Sequence, residues 1–126
     1  MSSKTHVLVT VNTAPERAKR LIGRVVSDLS PKYTIVHVAN CERISDVLPV
    51  LRSLIPSPTI LFTASMWTPE ESKLILDTAR YSVAGIQTLA LPQGLQVQKG
   101  PDAVVEFIKE VLPGVLDKAE VEKQKL

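Results

Sequence analysis

The sequence predicts an α/β domain, a three-layer αβα sandwich on a four-stranded parallel sheet. Three observations predict it. Four short apolar runs alternate with four helix-period patterns along 126 residues, a length suited to one domain. The runs are apolar on both alternating faces, as strands covered by helices on both sides must be. Aromatic residues make up only 4% of the chain against 44% hydrophobic overall, so the core is aliphatic.

The four runs are His6–Asn12, Tyr33–Asn40, Pro58–Ser65 and Ile86–Pro92. After the first, Ala14, Ala18, Leu21, Ile22, Val25, Val26 and Leu29 recur at helical spacing. Thr13 reads as the N-cap of this helix, with Glu16 completing a capping box, and Pro31 ends it.

The second helix is placed by Pro49, which is tolerated only in a first turn. The start therefore falls at Ser45 or Asp46, with Val47, Leu48, Leu51, Leu54 and Ile55 inward. The third opens Thr68-Pro69-Glu70-Glu71, a cap, a proline at the first position and a second capping box, with Leu74, Ile75 and Ala79 inward. The fourth starts after Lys99-Gly100 and packs through Val104, Phe107, Ile108, Val111 and Leu112. Pro113-Gly114 should kink or end it. The domain is accordingly residues 1–114, with residues 115–126 as a charged terminal helix or tail. The alternation in Gln93–Gln98 makes that segment a candidate fifth, edge strand.

Short connections give right-handed crossovers and the three-layer sandwich. The expected strand order is 2-1-3-4, as in flavodoxin-like proteins, with the Rossmann-like order 3-2-1-4 as the alternative. The segment VTVNTAPERAKRLI, Val9–Ile22, resembles the first strand, loop and helix of flavodoxins. The resemblance implies the fold alone. The loop has no glycine and Pro15 interrupts its N–H groups, so no flavin is implied and no cofactor is assigned. A phosphoaccepting receiver domain is excluded, because no acidic pair follows the first run and no Asp ends the third.

In such a sheet a ligand sits beyond the C-terminal strand ends, near the switch in strand order. The loops there offer a neutral polar set: Asn12, Thr13, Asn40, Cys41, Thr63, Ser65, Trp67 and Gln93. These are the expected ligand-binding residues. The competing reading is that they are caps and turn residues, with Trp67 stapled onto the third helix. Cys41 is a weak catalytic candidate: it follows a strand and precedes a helix, but Glu42 opposes thiolate formation and no base is obvious. Ser65 lacks the glycines of a nucleophile elbow.

Glycines are absent from the first loop and no Gly-Lys-Ser/Thr occurs, which removes the dinucleotide fingerprint and the P-loop. Pro15, Pro49, Pro69 and Pro101 each delete a first-turn donor, and Glu16, Asp46, Glu70, Glu71 and Asp102 place negative charge at the same helix ends. Only the Gln93–Gly100 loop, with Lys99, suits an anion. His6, His37 and Cys41 lack metal-ligand spacing, so no metal site is expected.

Net charge is +2, too small to call for nucleic acid. Residues 1–63 nevertheless hold eight Lys/Arg and four Asp/Glu, while residues 64–126 hold seven and nine. Arg17, Arg20 and Arg24 share one face of the first helix. One cysteine and no apolar run long enough for a membrane span suggest a cytoplasmic chain with no membrane partner. Two functions fit: small-molecule binding, with or without catalysis, and a non-catalytic interaction module that forms a homodimer or binds a partner.

Overall fold

The computed structural model describes residues 5–125, with side chains through residue 121. The strands are β1 (Thr5–Val11), β2 (Thr34–Cys41), β3 (Ile60–Thr63) and β4 (Gln87–Ala90). All pairings are parallel, and the order across the sheet is β2-β1-β3-β4. The helices are α1 (Pro15–Leu29), α2 (Val47–Ser53), α3 (Pro69–Ser82) and α4 (Leu95–Lys125), with a 3-10 turn at Ile44–Asp46 before α2.

Strand parity divides the core in two. Leu8, Ile35, Ile60, Phe62 and Leu89 face α1 and α4, where Leu21, Ile22, Val25, Val104, Ile108 and Leu112 meet them. Val9, Val11, Cys41 and Leu61 face α2 and α3, against Val47, Leu51, Ile75 and Ala79. A β-bulge interrupts β2. Leu8 pairs with His37 and Val9 pairs with Ala39, so Val38 is the extra residue. β2 and β4 are the sheet edges.

Several local expectations are corrected. The N-cap of α1 is Ala14, without a side-chain cap. Asn12 Oδ1 instead accepts the Ala14 N–H at 2.7 Å, so an Asx turn replaces the Thr13 box. The Thr68–Glu71 box of α3 forms in both directions, at 2.9 and 3.1 Å. Ile55 lies beyond the end of α2 and is 96% exposed, and Leu74 also faces outward.

Gln93–Gln98 is not a fifth strand. Gly94 takes φ 85, a left-handed conformation open to glycine, and turns the chain so that Leu95 begins α4. A second glycine, Gly100 with φ 83, kinks that helix, and Pro101 restarts it beyond the kink. Pro113 does not stop it. The helix runs on to Lys125 and buries Leu116 and Ala119 in the α1/α4 core. Tyr33 donates to Asp117 at 3.3 Å, and His6 lies 3.5 Å from Glu120, tying this end to the strand starts.

Candidate functional site

The loops at the C-terminal strand ends are divided by the sheet. Cys41 and Trp67 are buried among the α2/α3 core, and Thr63 is 0% exposed. Asn12 and Ser65 line the opposite side, toward α1 and α4. Thr13 and Gln93 are exposed to solvent. The eight residues expected at one site are therefore not brought to one cavity.

Trp67 donates from Nε1 to the Val11 carbonyl at 2.9 Å. The same oxygen accepts the Ala64 N–H at 3.1 Å, so the last carbonyl of β1 is doubly bonded. The indole thus holds the third loop against the end of β1.

Cys41 is 1% exposed, and burial, with the Asp46 carboxylate adding to it, pushes its thiol up to about 11. At neutral pH it is a protonated thiol. His37 lies on the other face of the sheet, where Thr10 contacts it, and does not serve as its base.

A polar chain crosses from β2 to the first loop. Thr10 donates from Oγ1 to Asn40 Oδ1 at 2.7 Å, and Asn40 donates from Nδ2 to the Asn12 carbonyl at 3.0 Å. His37 Nε2 lies 2.8 Å from the Thr10 hydroxyl. That hydroxyl has spent its one hydrogen on Asn40, so the imidazole donates, and the network assigns the proton to Nε2. Burial lowers the His37 pKa, opposed by a hydrogen bond with the Ala39 backbone. Asn12 N–H closes the set on the Cys41 carbonyl at 2.9 Å. This network fixes Asn40 and Asn12 in place.

The crevice at this edge lies between α1 and the start of α4, a narrow cleft of about 20 Å³ lined by Asn12, Arg17, Ala64, Ser65, Met66, Leu91 and Gln96. Ser65 Oγ accepts the Gln96 N–H at 3.2 Å, and the Ser65 carbonyl accepts the Gly94 N–H at 2.8 Å. These bonds seat the first turn of α4 on the third loop. Among the described residues, Gln96 Oε1 and Thr63 Oγ1 are buried without a hydrogen-bond partner. A second, more apolar hollow of about 30 Å³ adjoins it, between Thr10, Asn12, Leu21, Phe62 and Ile108. Beside the crevice a groove of about 240 Å³ runs between α1 and α4, lined by Arg17, Arg20, Leu21, Arg24, Gln96 and Pro101.

A larger groove, about 330 Å³, opens at the opposite end of the strands, between the Pro56–Thr59 and Val83–Ile86 segments. Its Thr59 hydroxyl is already spent on β1, accepting from Val7 N–H at 2.9 Å and donating to the Val7 carbonyl at 3.2 Å. No group of three or more His, Cys, Asp or Glu residues is placed to hold a metal ion among the described residues. No described helix is long and apolar enough to cross a membrane.

Arg17 and Gln96 were missed as crevice residues. The i, i+3, i+7 spacing of the arginines marked a face without saying what lies opposite it. Gln96 lies in a segment whose alternation makes it a candidate strand, and it turns inward only because the segment is helical. No protein-family model matches the chain, and no curated protein matches it.

Proposed function

We propose that this chain binds a small molecule at the C-terminal edge of its sheet, on the α1/α4 side, between Asn12, Ser65 and Gln96. The observation that carries the reading is the buried, unpartnered Oε1 of Gln96. A buried acceptor without a partner costs roughly 1–3 kcal/mol, and a ligand hydroxyl or amine supplies the missing donor. The crevice also stands where ligands enter open parallel sheets. Its polar atoms are neutral apart from Arg17, and no general base with a partner faces it, so no reaction is assigned.

Native mass spectrometry of the purified protein tests this. A retained mass above the polypeptide, lost in Gln96→Leu while the fold is kept, supports it. A retained mass that Gln96→Leu leaves in place refutes the site.

A second reading has its own observation. On edge strand β2, Val36 and Val38 are 45% and 40% exposed, and an open apolar edge is a template for pairing. It supports self-association through β2, giving a non-catalytic homodimeric module. Sedimentation distinguishes the two: a size that rises with concentration and falls on Val36→Lys favours the module.

A further inference from the structure

We infer that the ligand of this crevice is a small anion, a molecule bearing one carboxylate or phosphoryl group that Arg17 and Arg20 receive in the groove between α1 and α4. The inference rests on the crevice reading above and adds the charge of the ligand.

Two sequence features far apart in the chain meet here. One is the arginine face of α1. The other is the Gln93–Gly100 segment, where the first turn of α4 carries neither an acidic residue nor a proline. The fold sets them on opposite walls of one groove, with Arg17, Arg20 and Arg24 facing Gln96 and Pro101.

The charges in the groove do not balance. Arg24 donates to Asp102 at 2.9 Å, and Asp102 is the rim's acid. Arg17 and Arg20 form no ion pair among the described residues. Two guanidinium groups one helical turn apart present planar donor sets suited to a carboxylate or phosphoryl group.

Arg17 and Gln96 line both the groove and the neutral crevice beside it. One ligand can therefore set its anionic end on the arginines while a hydroxyl or amine a few atoms away donates to Gln96 Oε1. This joint geometry separates the site from a merely solvated basic face, which would have no second, neutral wall.

Backbone-amide NMR titrations with succinate and inorganic phosphate, each matched against succinamide, test the inference. The expected result is saturable shifts at Arg17–Leu21 and Gln96 with the anions. The double variant Arg17→Gln/Arg20→Gln should weaken them about tenfold, as two lost charge-assisted contacts at a partly exposed site imply. Arg52→Gln, on α2, should leave them unchanged. Tighter phosphate than succinate identifies a phosphoryl ligand, and the reverse a carboxylate.

Succinamide binding as well as succinate, unaffected by the double variant, overturns the anion and leaves the crevice reading standing. Shifts spread over all surface cations, Arg52 included, overturn it as an ion atmosphere. Saturable, steeply salt-dependent binding of a single-stranded oligonucleotide along α1, tighter than either anion, overturns it in favour of a polyanion surface. No saturable binding of any probe overturns both readings.

Discussion

Thr10 on β1 donates its hydroxyl hydrogen to Asn40 on β2 at 2.7 Å, and the His37 imidazole lies 2.8 Å from the same oxygen. Residues 37 and 40 are three apart, which in a regular strand would put them on opposite faces. The extra residue at Val38 restores them to one face, so that both reach a single hydroxyl. The bulge, not the residue types alone, makes the polar chain that ends at Asn12 and the mouth of the crevice.

Thr10→Val should therefore lower stability by about 1–3 kcal/mol, because two partly buried partners lose their bond while the volume is kept. Urea unfolding measures it. The companion substitution Asn40→Ala in the Thr10→Val background should cost much less than it does alone, since the two act through one bond.

His37 carries a pH dependence of definite sign. Burial lowers its folded pKa below the ordinary 6.5. Between the two values the unfolded chain binds the extra proton, so stability falls as pH drops through about 6.5 and levels off below the folded pKa. Imidazole resonances followed by NMR should show His37 titrating below 6.5, and His37→Asn should flatten that part of the stability profile.

Cys41 should be silent toward thiol reagents in the folded protein at pH 7.5. Its thiol is 1% exposed and burial holds its pKa near 11. Reaction with a disulfide reagent should proceed only at the rate of unfolding. Rapid labelling of the native state would contradict its placement beneath α2.

Leu116→Ala should cost about 2–5 kcal/mol, as a fully buried leucine does when truncated. Leu116 lies past Pro113, so this measures how far the end of α4 belongs to the core. Thermal or urea unfolding of the variant reads it directly.

The four strands, both faces of α1 and the α3 capping box were legible in the sequence, because each rests on local chemistry: β-branched runs, helical spacing, and Thr68 three residues before Glu71. No local pattern sets the strand order, and only the pairings decide for 2-1-3-4 over 3-2-1-4. The site was only partly legible. Loop position placed Asn12 and Ser65 at the strand ends, but the Val38 bulge, which has no residue signature, resets the parity of both Asn40 and Cys41 and turns Cys41 toward α2 and α3. Trp67 reads first as a staple and otherwise as a pocket wall or partner anchor until its Nε1 is seen on the Val11 carbonyl. Gln93–Gln98 alternates like a strand, and the positive φ of Gly94 is what makes it a helix.

The central claim is that a ligand enters between α1 and α4 at the C-terminal strand ends. Side-chain amide NMR of Asn12 and Gln96 during a fragment screen tests it most directly. The account predicts that hits shift the Gln96 amide together with the Ser65 and Asn12 backbone signals. Hits that instead cluster at Ser57 and Gly85, at the opposite end of the strands, or along Val36–Val38, would contradict it.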